Sequence, residues 1–229
     1  LGLTRNGATR WLDLKIGLTL QHAEVAKLGI IIYLASIITK LGRSLRTLKG
    51  FMIFIIPPTV VAGLIYVITD NLSSAIIVMG IAIAMLFVAI PDYKYFIIVA
   101  VAVVVFASGN DVTAFRLVRI KAWLDPESYS TDRAFQTLQA LYAIGSGGIW
   151  GKGLGQSMQK RGFLPESQND MIFSIICEEL GLFGALAVIL LFVVLIWCCM
   201  VIANNTMDQF GSLLAVGVMA HYAIQVILN

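Results

Sequence analysis

The sequence predicts an all-α fold, a polytopic bundle of transmembrane helices with one long extracytoplasmic loop carrying short amphipathic helices. Three observations predict it. The 229 residues are 59% hydrophobic and only 13% charged, with a mean hydropathy of +0.89, where soluble domains are about half apolar and a quarter charged. Six apolar stretches approach the roughly 20 residues that cross a bilayer as a helix. The stretch between the fourth and fifth keeps its aromatic residues, as an ordered loop does and a disordered one does not.

Taken in order, the chain opens in a polar stretch, LGLTRNGATRW, and its spans are expected at Val25–Thr39, Phe51–Ile68, Ser74–Ile90, Tyr95–Ala107, Met171–Val201 and Phe210–Leu228. The first and fourth are short and must borrow flanking residues. Pro57 and Pro58 remove backbone donors from the second and should kink it. Lys40, Arg43, Arg46 and Lys49 cluster after the first span, which reads as cytoplasmic under the positive-inside rule. Counting crossings puts Pro91–Lys94 and Ala203–Gln209 on that side. The N-terminal stretch, Thr69–Ser73 and Ser108–Asp170 then lie outside. The last of these is basic, but long loops escape the rule. It holds Trp123, Tyr129, Phe135, Tyr142, Trp150 and Phe163, with apolar spacing through Ala134–Ile144, so an outer cap with amphipathic helices on the membrane is expected. Residues 1–229 read as one membrane domain with 108–170 as a loop within it. The chain shows neither an initiator Met nor a signal-peptide pattern, and reads as the middle of a longer polytopic protein.

Composition also excludes function classes. A net charge of +3 without a basic run gives no support for nucleic acid. Cys177, Cys198 and Cys199 fall in apolar segments, so no disulfide framework is implied. His22 and His221 lack the spacing of metal ligands and read as packed or solvated side chains.

The glycine-rich run GSGGIWGKGLGQS fails as a P-loop, because Ser146 takes the first glycine's place and Gly153 follows Lys152. It reads as a series of tight turns that bring backbone close to a ligand or another helix. Arg10-Trp11 precedes the first span, and Glu24 and Lys27 sit at its start on one helix face. They read either as an interfacial anchor with a structural ion pair or as a cation near a polar head group. Arg116 and Arg119, three apart, suit a phosphate or pyrophosphate through paired guanidinium donors, or lipid head groups.

The stretch FLPESQNDMIFSIICEELG carries the most chemistry. Ser167-x-x-Asp170 before an apolar run is a capping-box pattern, which makes Asp170 a helix N-terminal acid stabilised by the macrodipole. Glu178 and Glu179 follow roughly 12–14 Å further along the helix, about 100° apart, and should face the bundle interior. A carboxylate at a helix mouth beneath an arginine-rich cap is also a candidate base.

The run AFQTLQALYAIGSGGIWGKGLGQSMQKRGFLPESQNDMIFSIICEELGLFG, with NGATRW, QHAEVAKL and RLVRIKAWLDPESY ahead of it in the same order, closely resembles the SEDS family (shape, elongation, division and sporulation) of bacterial peptidoglycan glycosyltransferases. Gln159-Lys160 before FLPE is closer to the division branch and its sporulation relatives than to the elongation branch. The resemblance implies ten spans, of which this chain covers the fourth to the ninth. It implies polymerisation of lipid II, an undecaprenyl-pyrophosphate-linked disaccharide-peptide, on the outer face of the cytoplasmic membrane, at the division septum for the division branch. Asp170 falls on the family's essential acid and would deprotonate the attacking sugar hydroxyl. Arg10, Arg116, Arg119 and Lys27 would offset charge on the leaving pyrophosphate. Trp11, Glu24, Lys160, Glu166 and Glu179 join the expected substrate contacts, with Glu166, Glu178 and Glu179 shaping the cavity rather than carrying the proton. A class B penicillin-binding protein transpeptidase and other divisome membrane proteins are the implied partners. A divalent cation near the pyrophosphate is chemically reasonable, although no ligand cluster calls for one. The sequence departs from the family pattern at Gln21-His22-Ala23-Glu24 (commonly QPSE), Asp70-Asn71-Leu72-Ser73-Ser74 (commonly PDLGT) and Met171 (commonly Phe). Two other classes compete: a transporter that flips the lipid-linked precursor, expected to show paired interrupted helices, and a scaffold with inert carboxylates.

Overall fold

The computed structural model describes residues 2–5, 8–13, 19–69, 71–90, 135–161, 164 and 170–228. The expected span Tyr95–Ala107, Arg116, Arg119 and Glu166 lie outside them. The described residues fall into two compact units, one of residues 1–93 and 195–229 and one of residues 94–194.

Five described helices are long and apolar enough to cross a membrane, and each coincides with an expected span. In the first unit, α1 (His22–Leu41) is followed by a 3-10 turn (Gly42–Arg46), then α2 (Leu48–Thr69) and α3 (Leu72–Ala89). The chain returns to this unit through the end of α5 (Ile172–Asn205) and α6 (Gln209–Leu228). Asn71 caps α3, its side chain accepting from the Ser74 N–H at 3.1 Å, so the family's altered PDLGT turn has here become an ordinary helix N-cap. α2 runs through Pro57 and Pro58 as one helix, so the proline pair does not divide it.

The core of this unit is Leu34, Ala35 and Ile38 of α1, Val78, Ile81 and Met85 of α3, and Leu213, Val216 and Ala220 of α6, all buried. Gly217 lets α6 close on α1 and α3: a Cβ there would stand 2.5 Å from Ile31 Cγ2 and 3.2 Å from Met85 Sδ. Lys27 meets Gln225 while Ile31 meets Gly217. Later residues of α1 therefore face earlier residues of α6, and the two helices are antiparallel.

The bundle is not wholly helical. Strands β1 (Gly2–Arg5), β2 (Ala8–Asp13) and β3 (Thr19–Gln21) form a three-stranded antiparallel sheet in the order β1-β2-β3. Arg5 pairs with Ala8, and the two residues between them are Asn6 and Gly7, the dipeptide most favoured in two-residue hairpins. The all-α expectation missed this sheet because its strands are too short to give a clear alternation.

In the second unit, α4 (Phe135–Gly147) occupies the position expected for an amphipathic helix. Its Ala140 packs with Leu164 and Ile175 in a small core to which Met171 adds. A 3-10 turn at Gln159–Arg161 follows the glycine-rich run.

Candidate functional site

Two groups of polar side chains stand out, one within each unit. In the first, Lys27 is 1% exposed and donates to Glu24 at 2.7 Å and to Gln225 at 3.2 Å. Glu24 remains 43% exposed at its side chain. The pair therefore has one member sealed in the bundle and one facing out, so the buried ammonium keeps a partner that water also reaches. His221 lies one helical turn before Gln225 and is within electrostatic reach of both Lys27 and Glu24; its Nδ1 is buried without a hydrogen-bond partner. Register brings Arg10-Trp11 toward this group, since Trp11 pairs with Gln21, the residue before α1. Glu24 and Lys27 thus neutralise each other as their i,i+3 spacing predicts. Gln225 was not foreseen, being 198 residues away in an apolar run.

In the second unit, the span expected at Met171–Val201 is broken. Gly181 adopts φ 66°, ψ −162° inside α5, a region open in practice only to glycine. A break in a helix frees donors and acceptors that must be met elsewhere. The glycine-rich run meets them. Lys152 N–H donates to Glu178 O and Gly153 N–H to Glu179 O, each at 2.9 Å. On the other side of the break, Leu182 N–H donates to Gly148 O at 3.0 Å and Phe183 N–H to Ile149 O at 3.5 Å. The turn-forming role expected for this run is what its backbone performs, against the break rather than around a phosphate.

Side chains tighten the same joint. Glu178 is 0% exposed and accepts from Lys152 Nζ at 2.7 Å, from the Ser157 hydroxyl, and from the Met158 and Gln159 N–H groups at 3.3 and 3.4 Å. Glu179 accepts from Lys160 Nζ at 2.6 Å and from Ser157 N–H at 3.4 Å. Four charges thus close on one another as two ion pairs with no net charge. Lys160 and Glu179, both expected among substrate contacts, are partners here. Lys152 and Ser157 went unrecognised, because the turn reading gave the run's side chains no role.

Asp170 stands before this assembly. The helix starts at Ile172, so Asp170 lies in the preceding turn rather than inside the first helical turn as the capping-box pattern requires. It is exposed and makes no hydrogen bond or ion pair with another described residue, while its neighbour Met171 is packed on the core of Ala140, Leu164 and Ile175. A solvated carboxylate on an anchored backbone can accept a proton from a ligand without first breaking an internal bond.

The break also revises the depth of the two glutamates. The part of α5 from Leu182 to Asn205 is about 36 Å long, enough alone for a hydrocarbon core of about 30 Å. Of its residues only Ala185 and Ala203 are buried, as a lipid-facing span allows. Ser174, Ile175, Cys177 and Glu178 are instead buried. Glu178 and Glu179 therefore precede this span-length stretch, and their ion pairs offset the penalty of an acid in the membrane. Among the described residues no three His, Cys, Asp or Glu side chains come together as metal ligands.

The family model for cell cycle proteins that takes in FtsW, RodA and SpoVE matches residues 1–229. The chain belongs to that family. Among relatives of this FtsW/RodA/SpoVE chain, stage V sporulation protein E of Bacillus subtilis (strain 168) is 34% identical over 230 residues, covering 100% of this chain and 63% of its own. The probable peptidoglycan glycosyltransferase FtsW of Thioalkalivibrio sulfidiphilus (strain HL-EbGR7) is 37% identical over 235 residues, covering 100% and 58%. The chain thus spans about three fifths of the length of these curated relatives. Its fold matches a chain from a structure titled for polymerization and crosslinking by a peptidoglycan synthase complex, with TM-score 0.76 and 22% identity over 100% of this chain and 63% of that one. The rod shape determining protein RodA of Thermus thermophilus matches with TM-score 0.63 and 22% identity over 100% and 58%. With its five membrane-length helices, this FtsW/RodA/SpoVE family member is a multi-pass membrane protein.

Proposed function

We propose that the intact protein is a peptidoglycan glycosyltransferase that polymerises lipid II at the outer face of the bacterial cytoplasmic membrane, during division at the septum. The observation that carries the reading is Asp170: an exposed carboxylate on an anchored backbone, without a partner among the described residues, at the position of the family's essential acid. Relatives named as probable peptidoglycan glycosyltransferases align with the whole chain. The sidedness from the basic loop supports it too, since the antiparallel course of α1 and α6 requires an even number of crossings, as six spans give.

In this mechanism the Asp170 carboxylate takes the proton of an acceptor sugar hydroxyl as its oxygen attacks the anomeric carbon of the donor. The new glycosidic bond forms, the bond to the pyrophosphate breaks, and undecaprenyl pyrophosphate leaves with both electrons. Lys27, Arg10, Arg116 and Arg119 supply positive charge toward that leaving group. Trp11, Glu24 and Glu166 complete the substrate contacts. Lys160 and Glu179, being paired, act on substrate through the loop they hold. A class B penicillin-binding protein is the partner that crosslinks the product, with other divisome membrane proteins around it.

The test uses intact protein in liposomes with labelled lipid II. Glycan of many disaccharides, made by the parent and not by Asp170→Asn, supports the reading. Transfer of lipid II between leaflets without polymer would favour the transporter instead. That reading draws on the Gly181 break, since discontinuous helices mark transporter sites, but α2 and the other described spans supply no second break to pair with it.

A further inference from the structure

We infer that the glycine-rich loop is a membrane-docking surface, which seats its apolar side chains in the leaflet on the Asp170 side of the bilayer. The loop is fixed to both sides of the Gly181 break by backbone hydrogen bonds, and the lipid-facing part of α5 begins at Leu182. Its height relative to the bilayer is therefore set by the helix. Trp150 packs against Phe183 with ring centroids 5.0 Å apart and the rings tilted by 42°, and Phe183 is the second residue of that lipid-facing part.

The surface chemistry agrees. Trp150 is 80% exposed and Leu154 77%, with Ile149 and Met158 also exposed, all within ten residues of a loop otherwise made of glycine and polar residues. Such side chains in water would form an apolar patch of the kind that marks an interaction site. Continuity with α5 selects the occupant, because Trp150 touches Phe183, an exposed residue of a helix long and apolar enough to cross a membrane. Tryptophan at the boundary of the hydrocarbon is where its amphipathic ring is most stable. The backbone groups of the loop do not have to enter hydrocarbon unpaired, since those facing the break are bonded to it.

Charge does not drive the docking. Lys152 and Lys160 are bound to Glu178 and Glu179, so neither of these two cations is free for anionic lipid. The surface fits a zwitterionic leaflet as well as an acidic one. This inference concerns membrane seating and stands whether or not Asp170 is a base.

The test uses the intact protein in nanodiscs, with Trp150 left as the sole tryptophan by changing Trp11, Trp123, Trp197 and any tryptophan outside this sequence to Phe. Phosphatidylcholine brominated just below the glycerol should quench its emission strongly, and lipid brominated at the chain end weakly. A companion chain whose sole tryptophan replaces Leu191, about 15 Å beyond Gly181 along the helix, should show the reverse order. Adding anionic lipid should leave both patterns unchanged. Absence of quenching at either depth, stronger quenching of Trp150 by the deep label, or quenching that needs anionic lipid would each overturn the inference. A measurement without substitutions guards against misfolding: a lipid with a photoreactive group near the head of its acyl chain should label the peptide Ile149–Met158 of the native chain. Labelling confined to α5 would contradict the docking.

Discussion

Gly181→Ala perturbs the joint on which the second unit depends. The Gly181 backbone has a positive φ with extended ψ, and holding an L-residue there costs about 1–3 kcal/mol. A Cβ would also press on Gly151 N and on Ile149 O and C, atoms of backbone that cannot swing aside as a side chain can. Relieving that overlap separates the loop from the break. Four backbone hydrogen bonds cross there, and losing even two adds about 1–3 kcal/mol. The expected loss is about 2–6 kcal/mol, the sum of the two effects. Gly63→Ala is the control, because Gly63 lies within α2 and a Cβ there meets nothing within 4 Å. At that helical site alanine should stabilise by up to about 1 kcal/mol. Reversible unfolding in mixed micelles reads both changes, and hydrogen exchange at the Lys152 and Gly153 amides reports the joint itself. If Gly181→Ala proves as stable as the parent with those amides still protected, the reasoning is refuted.

The ion pair at the joint gives a double-mutant cycle. Lys152→Met leaves Glu178 buried without its cation and should cost about 3 kcal/mol, the low end for breaking a buried pair, because Ser157 and two amides still donate to it. Adding Glu178→Gln should recover 1 kcal/mol or more of that loss, and strictly additive unfolding energies would contradict the pairing. In the first unit, Lys27→Met should preserve the fold, since Glu24 is half exposed and methionine fills the volume. The rate of polymerisation should nevertheless fall by about 10²-fold if the ammonium stabilises the leaving group; loss of folding in place of loss of rate would mark a structural pair. Gly217→Leu should loosen α6 from α1 and α3 and destabilise by about 1–3 kcal/mol, read by the same unfolding titration, with no change expected if the close approach at Ile31 is wrong.

The five described spans were legible because hydropathy integrates over a whole turn-by-turn stretch and does not depend on any one residue. The same averaging hid the break: the apolar run continues through Leu180-Gly181-Leu182, and a single glycine does not lower it enough to register. Glu24 and Lys27 could be paired from spacing because a helix fixes neighbours three apart. Glu178 and Lys152 could not, since they lie 26 positions apart and only the fold brings them together. The position of Asp170 came from a motif, but its setting did not. The capping-box pattern placed it inside the helix, whereas the packing of Met171 on Ile175 and Ala140 sets the helix start after it. The N-terminal sheet had a signal in Asn6-Gly7, obscured by strands of four, six and three residues.

The most direct test of the account measures glycan polymerisation by intact Asp170→Asn protein in the presence of the proposed transpeptidase partner. Asp170 is exposed and has no partner among the described residues, so stability should change by no more than about 0.5 kcal/mol. Loss of a positioned base should slow polymerisation by about 10²–10⁴-fold in a protein that unfolds like the parent. Glycan made by the variant at the parent's rate would show that the proton goes elsewhere and would contradict the account.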